Sequence, residues 1–158
     1  DIYAVSEEIY NHTAGYPYLV SRICKLIDER IAGGAGFPDR TAAWTRAGVT
    51  EAVKMLVSEK NTLFESLVGK LEEFPELREL VHTLLFRGST IPYNPLHKTI
   101  EMAEMLGFVK NLSGNTIISN RIFETVLYNL FLSEEALTSD IYKANITFGE
   151  KVLVEAIV

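Results

Sequence analysis

The sequence predicts a mainly α-helical protein in which a helical bundle is followed by a small domain with a β-hairpin. Apolar residues recur at helical spacing in seven segments between residues 2 and 131. The helical spacing of apolar residues is interrupted once, in "GFVKNLSGNTIIS" (107–119). There two short β-prone runs flank Ser-Gly-Asn, a pattern typical of a hairpin. Of the 158 residues, 47% are hydrophobic, which provides a core for one ordinary domain or two small ones.

The first three predicted helices form a group that ends at about residue 59. They span residues 2–12, 17–31 and 48–59, and the glycine-rich "AGGAGFPDR" predicts a loop over 32–41. A sharp corner, "AGYPYLV", separates the first two helices. We expect Gly15 to end the first helix in a left-handed conformation and Pro17 to begin the second at its first position.

The next segments predict a winged-helix domain over residues 60–132. Three helices come first: one capped by Asn61 or Thr62, one from Pro75 to Gly88, and one over about 95–106. The hairpin follows, and Asn120 can then cap a last helix. The extended "TIPY" can supply a short strand that pairs with the hairpin. Residues 133–158 form a tail or begin a further domain, and their ending, "KVLVEAIV", is β-prone.

Composition predicts a cytoplasmic protein that makes no membrane contact. The sequence lacks an apolar run long enough to span a bilayer and lacks an N-terminal leader. Its single cysteine, Cys24, lies in an apolar helical stripe and is expected to be a buried small hydrophobe. Because the chain begins at Asp1 without an initiator Met, we expect it to be a fragment.

The sequence contains no recognisable catalytic or metal-binding pattern. It lacks the G-x-x-x-x-G-K-[ST] loop that cradles phosphates. The three histidines, His12, His82 and His97, do not have metal-ligand spacing. We therefore predict no catalytic residue and no metal site, and the chain alone is not expected to be an enzyme.

The corner between the first two helices also carries a resemblance to a known family. The stretch "TAGYPYLVSRICKLIDER" resembles the Gly-x-Pro motif in the helical lid of the STAND branch of AAA+ ATPases. In that family the proline packs against the adenine of a bound nucleotide. The resemblance implies that residues 1–59 are a lid subdomain with nucleotide-binding residues Gly15, Tyr16, Pro17, Tyr18 and Arg22. Arg22 is the candidate for the arginine that other AAA+ lids place beside the γ-phosphate.

The resemblance extends over nearly all of residues 1–135. The stretches "NTLFESLVGKLEEFPELRELVHTLLFRGSTIPYNP" and "MLGFVKNLSGNTIISNRIFETVLYNLFLSEE" look like the C-terminal winged helix of a bacterial AAA-like ATPase family, and "SNRIFE" is the best signature. This implies a P-loop core before Asp1, a parent ATPase, and ATP or ADP as its cofactor, with no nucleotide expected on the fragment alone. The implied partners are the nucleotide, held together with the core, and a protein that the winged helix contacts.

Two alternatives stay open at this point. The domain over 60–132 can be a DNA-binding winged helix, or the chain can be a helical interaction module without a ligand. Residues 61–132 contain six Lys or Arg and eight Asp or Glu, within a net charge of −6. The predicted sixth helix contains His97 and Lys98 but also Glu101 and Glu104. The only basic residue of the hairpin is Lys110. This balance favours a protein contact over a DNA contact.

Overall fold

The structure is a computed structural model that describes residues 1–138. The predicted strand near the C terminus lies outside the described residues. In chain order the elements are α1 (Ile2–Thr13), α2 (Pro17–Leu26), a π-helical turn (Ile27–Ile31), α3 (Arg40–Ala43), α4 (Arg46–Val57), α5 (Thr62–Glu73), α6 (Pro75–Phe86), β1 (Ile91–Pro92), α7 (Lys98–Met105), β2 (Val109–Leu112), β3 (Asn115–Ile118) and α8 (Arg121–Thr138). The prediction of a mainly helical fold is confirmed.

The helices α1 to α4 pack around a shared apolar core. Both α1 and α2 lie against α4. The buried side chains at helical spacing include Val5, Ile9, Leu19, Ile23, Val49, Ala52 and Leu56. Close packing also requires one glycine, since a Cβ on Gly48 would lie 1.7 Å from the carbonyl oxygen of Ala43. The end of α3 therefore touches the backbone of α4 directly.

A three-stranded antiparallel sheet accompanies α5, α6, α7 and the start of α8. The strand order is β1-β3-β2, with Ile91 opposite Thr116 in one pair and Val109 opposite Ile118 in the other. Ser113 and Gly114 both have positive φ, 51° and 86°, as a two-residue hairpin turn requires. The predicted β-hairpin, here called the wing (residues 109–118), is confirmed. The extended "TIPY" does supply a strand, which pairs with β3.

Several local features differ from the predictions. The helix expected over 48–59 spans Arg46–Val57, and the helix expected over about 95–106 spans Lys98–Met105. The expected loop over 32–41 contains the start of α3, where the Asp39 side chain accepts a hydrogen bond of 2.8 Å from the Ala42 N–H. The second helix reaches residue 31 only by passing into the π-helical turn. The last helix continues to Thr138, beyond the expected residue 131.

Residues 1–126 form one compact unit, and the described residues from 127 to 138 belong to a second. The predicted domain boundaries at residues 59 and 132 stay predictions. Within residues 1–138, no helix combines the length and apolar character needed to cross a bilayer.

Candidate functional site

The corner between α1 and α2 is held by a buried threonine. Thr13 has no exposed surface, and its hydroxyl donates to the Ile9 carbonyl at 2.8 Å and accepts from the Gly15 N–H at 3.1 Å. Its carbonyl also accepts from the Tyr16 N–H at 3.0 Å. One residue thus satisfies two backbone donors of the turn. Sequence reasoning missed Thr13, although a threonine two residues before a glycine at a helix end is the available signal.

Gly15 and Pro17 adopt the conformations expected of them. Gly15 has φ +78°, a region that other residues rarely adopt, and it follows Ala14, which already turns left-handed at φ 48°. Pro17 is the first residue of α2, where its missing N–H leaves no helical bond unmade. Its ring is exposed. The corner therefore presents a proline on a rigid backbone.

Tyr16 points into the protein. Its ring packs edge-on against that of Phe123, with ring centroids 5.2 Å apart and planes at 65°. Its Cε2 atom lies 3.9 Å from where a Cβ on Gly107 would be. Gly107 lies just before β2, the first strand of the wing, and Phe123 lies in the first turn of α8. Tyr16 therefore joins the corner to the base of the wing.

An apolar cavity of about 630 Å³ opens beside the corner. Gly15 lies at its margin, and α1 supplies most of one wall. Val20, Cys24 and Trp44 complete the lining. Partial burial raises the pKa of the Cys24 thiol, which lies half-buried rather than fully buried as expected. The volume falls within the range of small-molecule sites.

Arg22 faces a second, more polar pocket of about 360 Å³, which Tyr18, Ser21, Lys25 and Glu59 also line. Its guanidinium forms an ion pair with Glu59, at 2.6 Å from Nη2 to Oε1. The hydrogen bond to Glu59 raises the pKa of Arg22, while desolvation acts in the opposite direction. Arg22 is thus engaged within the protein.

The five predicted nucleotide-binding residues therefore do not form a single cluster in this structure. Gly15 borders the apolar cavity, Tyr18 and Arg22 border the polar pocket, and Tyr16 packs inward. Pro17 is exposed at the corner. Within residues 1–138, no group of three or more His, Cys, Asp or Glu side chains is placed to hold a metal ion.

The surface formed by α7 and the wing has a mixed apolar and acidic character. Tyr93 connects the two elements, because its N–H donates to the Gly114 carbonyl at the wing tip and its hydroxyl donates to Glu104 on α7. That hydrogen bond raises the pKa of the Tyr93 phenol. Met105 is 77% exposed and Leu112 is 55% exposed. Acidic side chains repel the phosphates of a nucleic acid, so this surface lacks the basic character that phosphate contacts require.

Comparisons of this chain with protein-family models, with curated proteins and with solved structures found no match.

Proposed function

We propose that this chain is the regulatory part of an ATP-binding AAA+ ATPase of the STAND type. Residues 1–59 are its nucleotide-sensing lid, and residues 60–132 are a winged helix that makes protein contacts. ATP or ADP binds between the lid and a P-loop core elsewhere in the parent protein, in the cytoplasm. The proposal starts from the resemblance of the Gly-Tyr-Pro corner to that family's lid motif.

The exposed Pro17 is the observation that carries this proposal. A surface proline at the first position of a helix presents an apolar ring face whose position costs little entropy, because φ is already fixed. The hydrogen bonds of Thr13 fix the backbone on the α1 side of the corner. The apolar cavity that Gly15 borders, two residues before the proline in sequence, adds a concave surface of suitable size. An aromatic base is a ligand suited to these features.

A winged helix that contacts protein suits the α7–wing surface better than one that contacts DNA. Helices that enter the major groove bring basic side chains to phosphates and bases. On α7, Glu101 and Glu104 are both exposed beside Lys98. We therefore keep DNA binding as the alternative and propose a protein partner.

The proposal is tested by replacing Pro17 with alanine in the proposed parent protein and measuring ADP affinity by calorimetry. If Pro17 packs on adenine, Pro17→Ala removes part of an apolar contact, and binding should weaken by about 1–2 kcal/mol. That corresponds to about tenfold in Kd. Unfolding free energy should fall by only about 0.4–1 kcal/mol, since alanine is also accepted at this helix position.

Gly15→Val is the comparison variant, since a β-branched residue is strained at φ +78° and should damage folding first. A Pro17→Ala protein that melts earlier but binds ADP with unchanged affinity would show that the corner is purely structural. Failure of the wild-type parent to bind adenine nucleotides would overturn the proposed function itself.

A further inference from the structure

One face of α2 carries four side chains that can donate hydrogen bonds to an anion. Tyr18, Ser21, Arg22 and Lys25 follow the spacing i, i+3, i+4 and i+7 and border the same 360 Å³ pocket. Tyr18, Ser21 and Lys25 are exposed, while the Arg22 side chain is 27% exposed. Two hydroxyls, an ammonium and a guanidinium suit an oxyanion such as a phosphate group.

The guanidinium of Arg22 is already bound by the carboxylate of Glu59. The Nη2 atom lies 2.6 Å from Oε1, and Nε donates to Oε1 at 2.8 Å and to Oε2 at 3.2 Å. The Glu59 side chain is only 21% exposed. Arginine binds carboxylates and phosphates through the same fork of N–H groups. The Glu59 carboxylate therefore stands where the oxygens of a phosphate group would bind.

We propose that Glu59 is an internal competitor for a phosphate group at Arg22, so that this phosphate site is closed until an anion displaces the carboxylate. The inference rests on the proposed function, in which Arg22 faces the nucleotide, and it adds the regulation of that site. Glu59 places one negative charge among the two positive charges of the pocket. An incoming anion must overcome this charge as well as replace the ion pair.

Displacement of Glu59 also has a structural consequence. Glu59 lies in the short connection between α4 and α5, where its N–H donates to the Leu56 carbonyl at 3.1 Å. Its ion pair is a direct tie between that connection and α2. Because Glu59 and a phosphate cannot bind Arg22 at the same time, phosphate binding breaks this ion pair. By linkage, any change that stabilises the ion pair weakens phosphate binding.

The test measures binding of inorganic pyrophosphate and of ADP to this chain by NMR titration at constant ionic strength. Glu59→Gln should lower the Kd for pyrophosphate about tenfold, the effect of about one charge-assisted hydrogen bond. Arg22→Gln should abolish the gain when combined with Glu59→Gln. Glu73→Gln is the matched control, because it changes the net charge equally and removes a surface ion pair with Lys70 on α5.

Since the phosphate is the group recognised, ADP should bind the Glu59→Gln chain with an affinity close to that of pyrophosphate, whereas the wild-type chain, which has no P-loop core, is expected to bind ADP weakly or not at all. Equal gains in Glu59→Gln and Glu73→Gln would overturn the proposal, because they would reflect net charge alone. An unchanged Kd in Glu59→Gln, or no detectable binding by that variant, would overturn it as well. These results involve no P-loop core, so they are distinct from a failure of the parent protein to bind nucleotide.

Melting temperatures are measured for each variant. If Glu59→Gln does not fold, Glu59→Asp is used, whose shorter side chain keeps the charge but cannot keep the same fork of hydrogen bonds. A smaller gain in pyrophosphate affinity is then expected, and its absence in a folded Glu59→Asp protein would count against the proposal.

Discussion

At the scale of single residues, the two tyrosines beside Pro17 have different surroundings. The ring of Tyr16 lies against Phe123 and close to Gly107, whereas Tyr18 is 38% exposed and borders the polar pocket. The sequence alone marks both as neighbours of the motif proline. Their different roles depend on Phe123, which is distant in sequence and is brought to the corner only by the fold.

Replacement of Tyr16 by alanine should therefore destabilise the protein more than replacement of Tyr18. Truncating a fully buried aromatic side chain costs about 3–5 kcal/mol, so the half-buried Tyr16 should lose about 2 kcal/mol of unfolding free energy. Tyr18→Ala is the matched control, with an expected loss below about 1 kcal/mol. Urea unfolding of the two variants measures the difference. Equal losses would contradict a stabilising role for the Tyr16–Phe123 contact.

At the scale of secondary-structure elements, local chemistry predicted the hairpin and the starts of α2, α5, α6 and α8, whereas α4 and α7 begin at Arg46 and Lys98 instead of about residues 48 and 95. Asn61 and Asn120 cap α5 and α8 through side-chain hydrogen bonds of 2.9 and 2.8 Å, and such caps are set by neighbouring residues in the sequence. The ion pair between Arg22 and Glu59, 37 residues apart, was not predictable in this way. Neither was α3, whose four residues are too few for a periodic pattern.

Within residues 1–138 two glycines lie inside helices, Gly48 in α4 and Gly69 in α5, and they should respond to alanine in opposite directions. Gly48→Ala places a Cβ against the Ala43 carbonyl oxygen and should cost about 1–3 kcal/mol or more, as overpacking does. A Cβ on Gly69 would meet no atom within 4 Å, so Gly69→Ala should gain about 0.5–1 kcal/mol of helix stability. Thermal unfolding shows whether each substitution raises or lowers the stability of the protein. A stabilising Gly48→Ala would contradict the close contact between α3 and α4.

At the scale of the whole molecule, charge separates the protein-binding and DNA-binding interpretations of the proposed winged-helix domain. The chain has 15 Lys or Arg and 21 Asp or Glu, and α7 exposes two glutamates. Phosphate contacts made by basic side chains supply most of the affinity of non-specific DNA binding. The acidic balance opposes such contacts over the molecule as a whole and on the helix that would enter the groove.

We therefore expect no specific binding of duplex DNA by this chain. A gel-shift assay at low salt is the most demanding test, because electrostatic attraction to phosphates is strongest there. Lys98→Glu serves as the comparison, and it should leave the negative result unchanged. A tight wild-type complex that weakens steeply with added salt, and that Lys98→Glu disrupts, would instead support the DNA-binding alternative.

The small sheet also limits how copies of this protein can associate. β1 is only two residues long and includes Pro92, which has no backbone N–H to offer a further strand. At the other edge, β2 is four residues long and carries Lys110. Short strands, proline and lysine at sheet edges are features that hinder strand addition and aggregation. Both edges of the sheet therefore offer poor templates for the strands of neighbouring copies, even at high protein concentration.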